Sequence, residues 1–134
     1  MPDQLTVDEE FLASGEKNFG IYCAICHGAT GNGNGVVRQY MTLLVANLHE
    51  ARFADPSSPE FRPDGELFEV ISICRGQMGP YGMSIPVKER WAIVAYLRAL
   101  QKAKIDSVGA EAVPNAPVPN APAPEPAKKE ANAS

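Results

Sequence analysis

Cys23-Ala24-Ile25-Cys26-His27, followed at once by Gly28-Ala29-Thr30-Gly31-Asn32-Gly33-Asn34-Gly35, is the stretch on which the reading of this chain turns. Two thiols three residues apart lie about one helical turn from each other, with an imidazole directly after the second. Cys-x-x-Cys-His is the attachment motif of a c-type haem: the thiols add to the two vinyl groups of one porphyrin, and the histidine supplies a nitrogen to the iron. Two other chemistries use a Cys-x-x-Cys pair. A thioredoxin-like dithiol expects a βαβ setting, and the sequence shows none. A zinc site needs two more ligands at suitable spacing, and only Cys74 and His49 remain. The glycine run is not a G-x-G-x-x-G phosphate loop, since Val36 takes the last position and no Lys-Ser/Thr follows. Placed behind the histidine, those glycines are expected to let the backbone pass close to a flat macrocycle.

Upstream of the motif, Phe11, Gly15, Phe19, Tyr22 and Cys26 recur at steps of three or four, which predicts one face of a helix that breaks near Gly28. Downstream, residues 36–48 are a weaker apolar stretch, read as a short helix and an extended piece. Residues 55–63 carry three prolines and two serines and read as loop. Asp64 is an N-cap candidate for a second helix with Leu67, Phe68, Ile71 and Cys74 on its apolar face, ended by Gly76 and Gly79. Pro86 suits the first turn of a third helix, with Ile93, Tyr96, Leu97 and Leu100 on one side and Lys88, Arg98 and Gln101 elsewhere. No strand signal has comparable strength. The fold class expected is all-α: three main helices and long loops around one covalent cofactor.

The chain has 134 residues, room for one domain and a tail. All ten aromatic residues lie between Phe11 and Tyr96, and six of the twelve prolines fall in residues 114–126. The division is therefore a polar extension over 1–10, a folded domain over 11–104, and an Ala/Pro-rich tail over 105–134, expected to be extended or disordered. A net charge of −4 excludes the basic stripe of a nucleic-acid binder. The longest strictly apolar run, residues 91–97, is too short to span a bilayer, so no transmembrane segment is expected. Three cysteines are too few for a disulfide scaffold. The start of the chain has neither the positive nor the apolar region of a signal peptide.

An iron with one histidine needs a sixth ligand or an open position. Met78, Met83, Met41 and His49 are the candidates. Met78 and Met83 share a glycine-punctuated loop between two helices, where a side chain can be aimed inward. Cys74, spaced with Leu67 and Ile71, reads as a buried, inert thiol. Arg75 reads as a partner for a haem propionate or for the carbonyls at a helix end.

Gly15 and Phe19, eight and four residues before Cys23, together with Tyr96 on the last helix, resemble the helix crossing of class I cytochromes c. A narrower resemblance is carried by Pro63-Asp64-Gly65-Glu66-Leu67-Phe68-Glu69-Val70-Ile71, by Met78-Gly79-Pro80-Tyr81-Gly82, and by residues 85–101, which open Ile85-Pro86-Val87-Lys88-Glu89-Arg90-Trp91. These are similar to the monohaem cytochrome c subunit of bacterial alternative complex III, a quinol-oxidising membrane complex. The resemblance implies the cytochrome c fold, one covalent haem c on Cys23 and Cys26, and His27 and Met78 as axial ligands with Met83 as runner-up. It implies a one-electron carrier rather than an enzyme. Its partners would be other subunits of a membrane respiratory complex and a redox partner, a cytochrome or terminal oxidase. The location implied is periplasmic or otherwise extracytoplasmic, at the membrane periphery. Two alternatives remain open at this point: a free soluble periplasmic shuttle, and a haem sensor or peroxidase with an open sixth site. No His/Arg pair of the kind a peroxidase uses can be picked out.

Overall fold

The computed structural model describes residues 1–40, 42 and 44–108, and for 105–108 the backbone alone. Met41 and residues 109–134, most of the expected tail, lie outside the described residues. Within them the chain is helical, and the one extended pairing is an isolated antiparallel bridge between Arg75 and Met78.

Helix α1, Glu9–Asn18, starts where the Asp8 carboxylate accepts from the Phe11 N–H at 2.8 Å. Asp8 satisfies one of the free N–H groups of the first turn, and Glu9 and Glu10 place negative charge at the positive end of the helix. The helix does not stop at Asn18. It widens into a π-helical turn over Phe19–Cys23, where the Ala24 N–H reaches back five residues to the Phe19 carbonyl. It then resumes as α2, Ala24–His27, and ends at Gly28 with φ 80°.

A 3₁₀ turn, Val36–Gln39, and a short helix α3, Ala51–Ala54, interrupt the long middle segment. Helix α4 is Asp64–Ile73 and helix α5 is Val87–Val108. Helix α1 thus begins two residues before Phe11, and α5 continues to Val108.

Helices α1 and α5 cross where expected. A Cβ built on Gly15 would lie 2.6 Å from the Ala92 carbonyl carbon and 2.9 Å from the Tyr96 Cβ, so only glycine permits this approach. The Phe19 and Tyr96 rings meet with centroids 5.6 Å apart. Beyond the crossing, Phe19, Leu67, Ile71, Ile85, Ile93 and Val94 form the main core. Phe11 packs with Ala92 and Ala95 in a smaller cluster beside it. Trp91 stacks on Phe68 of α4, centroids 4.3 Å apart.

Two expectations fail here for stated reasons. Asp64 is not the cap of α4. Pro63 holds that position, and the Asp64 carboxylate accepts instead from Arg98 Nε on α5 at 2.8 Å. Cys74 is not buried, because α4 ends at Ile73 and Cys74 turns out of the helix at φ 89°, exposed. Arg98 and Gln101, away from the apolar side of α5, are both engaged in hydrogen bonds. Arg98 donates to the carbonyls of Phe53 and Arg62 and to Gln101 Oε1, and the buried Gln101 donates to the Leu48 carbonyl at 2.6 Å. The middle segment wraps over that side of α5 and supplies carbonyls that local periodicity cannot foresee.

Candidate haem site

The π turn sets the site. One extra residue in a helical turn rotates everything after it by about 100° relative to a regular helix. Gly15 packs on α5, Phe19 meets Tyr96 of α5 and also borders a cavity of about 460 Å³, and Cys23, Cys26 and His27 line that cavity. The rest of its wall is mostly apolar, with Leu67 and Ile71 from α4, Ile93 and Leu97 from α5, and Val45, Ala46 and Leu48 from the middle segment.

The glycine loop folds back on the motif rather than lying open beside it. The Gly33 N–H donates to the His27 carbonyl at 2.7 Å, the Gly35 N–H to the Cys26 carbonyl at 3.0 Å, and the Leu48 N–H to the Gly31 carbonyl at 2.8 Å. These glycines permit close backbone packing within the chain. A Cβ on Gly33 would stand 3.1 Å from the Val45 carbonyl oxygen. This packing presents the Ala46 carbonyl to His27 Nδ1 at 3.0 Å. A carbonyl only accepts, so Nδ1 carries the proton and the lone pair is on Nε2. Burial lowers the His27 pKa, against a smaller opposing effect of the Ala46 bond, which keeps the imidazole neutral as a metal ligand requires.

The two thiols are free and lie on the same cavity. Burial, with a lesser contribution from Cys26, pushes the Cys23 thiol up to about 12. Among the described residues there is no β-strand, so the βαβ setting of a thioredoxin-like dithiol is missing. Zinc fares no better: among the described residues no three His, Cys, Asp or Glu side chains gather into a metal site. A large apolar cavity with two thiols and one neutral imidazole on its wall fits a covalently held haem. Residues 10–97 match the family model described as cytochrome C oxidase, cbb3-type, subunit III.

The chain belongs to this family of cytochrome c domains.

No curated protein gives a significant match to the chain. As a cytochrome c domain it carries out haem-based electron transfer and is an electron carrier rather than an enzyme. Among the described residues no helix is long and apolar enough to cross a membrane.

The sixth-ligand candidates separate in the structure of this cytochrome c domain. Met78 lines the cavity and packs against the core, whereas Met83 is fully exposed. Met78 is held there by backbone. Its N–H and carbonyl exchange bonds with Arg75 at 3.1 and 3.2 Å, and the Tyr81 and Gly82 N–H groups return to the Ile71 and Ser72 carbonyls of α4. His49 sits off the cavity, with Nε2 2.6 Å from the Thr30 carbonyl, so it ties the glycine loop to the middle segment. Arg75 reaches the cavity but spends Nη1 on Glu66 at 3.0 Å. The residues that sequence reasoning missed at the site are Ala46, Arg52, Phe53 and Arg62. Ala46 acts through its carbonyl, which every residue has, and so leaves no signal in the side-chain pattern.

Proposed function

We propose that this domain holds one haem c through Cys23 and Cys26, with His27 Nε2 and the Met78 sulfur as its axial ligands. It passes single electrons as a subunit or close partner of a quinol-oxidising respiratory complex on the extracytoplasmic side of a membrane. The bound haem supplies the one-electron iron couple; the chain's own residues fix its ligands and keep water from its face. The observation that carries the reading is the His27–Ala46 bond, which leaves Nε2 as the free donor on the cavity that Cys23, Cys26 and Met78 also line. A methionine ligand leaves no open position for substrate and raises the reduction potential, which suits an acceptor of quinol electrons. The family takes its name from a subunit of a terminal oxidase, which supports a respiratory chain as the setting. The narrower assignment to alternative complex III rests on the sequence stretches 63–71, 78–82 and 85–101.

The test is spectroscopic. Intact-mass analysis of denatured protein should show one haem retained on the chain. The ferric protein should show the weak far-red charge-transfer band of sulfur–iron ligation. Met78→Ala should abolish that band and Met83→Ala should leave it. A band lost only in Met83→Ala, or in neither variant, overturns the assignment of Met78. Co-purification of the full chain with quinol-oxidising activity from membranes tests the partner. Recovery only as a free soluble protein would favour a shuttle.

A further inference from the structure

Arg90, near the start of α5, is buried with 9% of its surface exposed, and among the described residues no carboxylate pairs with it. Burial strips water from a charge, a cost that a carboxylate usually offsets. Three neutral groups meet the guanidinium instead. Nε donates to the Ile85 carbonyl at 3.0 Å, Nη1 donates to the Ser72 hydroxyl, and the guanidinium carbon lies 4.8 Å from the centroid of the Phe68 ring. The Ser72 hydroxyl is itself fixed, donating to the Phe68 carbonyl at 2.6 Å. A rigid fork of N–H groups lets one side chain hold a carbonyl and a hydroxyl together.

The two groups joined this way stand at the two ends of one loop. Ser72 lies one residue before the end of α4, and Ile85 two residues before the start of α5. Residues 74–84 run between them and carry Met78. The backbone of Met78 is bonded to Arg75 of the same loop, so the fastening to α4 falls on the other limb. There the Tyr81 N–H donates to the Ile71 carbonyl, the Gly82 N–H to the Ser72 carbonyl, and the Ile85 N–H to the Tyr81 carbonyl, at 2.9, 3.1 and 2.9 Å. The limb is pressed hard on α4: a Cβ built on Gly82 would stand 2.5 Å from the Ser72 carbonyl oxygen. Ser72 therefore takes the loop through its carbonyl and Arg90 through its hydroxyl. Ile85 is buried in the main core, so its carbonyl depends on a protein donor, and Arg90 is that donor.

We propose that Arg90 is a positioning residue for Met78: by clasping Ile85 to Ser72 it closes the loop and sets how firmly the methionine sulfur is held at the cavity against competing ligands. The proposal rests on the reading of Met78 as an axial ligand. Loosening the clasp frees the 81–85 limb from α4, and Met78, bonded only within the loop backbone, moves with it. A charged donor suits this task because its hydrogen bonds are stronger than those of a neutral one.

The experiment is a titration of the ferric, haem-loaded full chain with imidazole at about pH 8, where imidazole is largely neutral. Loss of the far-red sulfur–iron band reports displacement of the methionine. The proteins are wild type, Arg90→Lys, Ser72→Ala, the double variant, and Val94→Ala. Lysine keeps the charge but lacks the fork. Val94 is fully buried on α5 and off the cavity, so its truncation lowers overall stability without touching the clasp. Arg90→Lys and Ser72→Ala should each bind imidazole about tenfold or more tightly than wild type, the equivalent of one hydrogen bond from a charged donor. The double variant should bind no more tightly than Arg90→Lys, because both changes cut the same bond. Val94→Ala should match wild type. Single variants that match wild type, a double variant whose gain is the product of the two, or an equal gain in Val94→Ala would overturn the clasp and leave Met78 as ligand. A wild type without the sulfur–iron band, or a Met78→Ala variant that keeps it, would overturn the ligand reading and the proposal with it. Ser72→Ala removes one half-buried hydroxyl, so it decides the matter even where Arg90→Lys fails to load haem.

Discussion

Replacing Gly15 by alanine adds a single methyl group at the tightest point of the fold. The new Cβ would stand 2.6 Å from the Ala92 carbonyl carbon and 2.9 Å from the Tyr96 Cβ, with the Ala92 carbonyl oxygen nearer still. Ordinary carbon–carbon contact is about 3.5–4.0 Å, so the helices must separate locally by about 1 Å. Two of those three atoms are backbone within α5 and cannot swing away. Such a gap forfeits roughly a quarter to a half of the dispersion attraction across it. The loss falls on Phe11 and Phe19 from one side and on Ala92, Ala95 and Tyr96 from the other. Overpacking of this kind costs about 1–3 kcal/mol, and the upper end applies where backbone is the obstacle. Alanine recovers about 1 kcal/mol through its better helix propensity. The net expectation is a loss of about 2 kcal/mol, which lowers the urea midpoint by about 1 M at a typical slope. Denaturant titration followed by far-ultraviolet circular dichroism measures it. Gly20→Ala is the internal control: nothing lies within 4 Å of a Cβ built there, so it should be neutral or stabilising by about 0.4–1 kcal/mol. If Gly15→Ala matched Gly20→Ala in sign, the close crossing would be refuted as a determinant of stability.

Gly35→Ala should lower the yield of haem-loaded protein, measured as the ratio of haem absorbance to protein, because a Cβ there collides with the Ile25 and Cys26 carbonyl groups and displaces the attachment motif; normal loading would refute it. Gln101→Leu should destabilise by about 1–3 kcal/mol in denaturant titration, since the Leu48 carbonyl loses its donor in a buried place. Burial alone would raise the Asp64 carboxyl, but Arg98 and the terminal amine outweigh it and hold its pKa below the ordinary value. The stability this adds is present above about pH 4, the unfolded value, and disappears as pH falls through the depressed folded value. Asp64→Asn should therefore be less stable than wild type at neutral pH, with the gap closing in acid; a gap constant with pH would count against the pair.

The attachment motif was legible because its residues are adjacent in sequence, and the α1–α5 crossing because Gly15, Phe19 and Tyr96 carry a resemblance to class I cytochromes c. Residues 23–27 name their own chemistry, and Gly15 and Phe19 sit at helical spacing from it. The errors have different causes. Cys74 continues the spacing of Leu67 and Ile71, but periodicity does not say where the backbone ladder stops, and it stops one residue earlier. Asp64 has the right chemistry for a cap, but an arginine thirty-four residues away takes its carboxylate instead. The partners of Arg98 and Gln101 leave no sequence signal, because the carbonyls of Leu48, Phe53 and Arg62 are brought against them by a segment with little regular structure. Met78 and Met83 are alike as sequence. What separates them is a pair of backbone bonds to Arg75, which involve no side chain.

The π turn at Phe19–Cys23 has a consequence for how this protein can change. It works as a phase shifter between two stretches of one rod: the stretch before it is committed to α5, and the stretch after it is committed to the cavity. Deleting one residue inside the turn would restore an ordinary helix and swing Cys23, Cys26 and His27 round by about 100° relative to the crossing. Point substitutions on either stretch leave that offset alone. A change of length by even one residue inside the turn therefore moves the whole attachment motif at once, a displacement that no exchange of a single side chain produces.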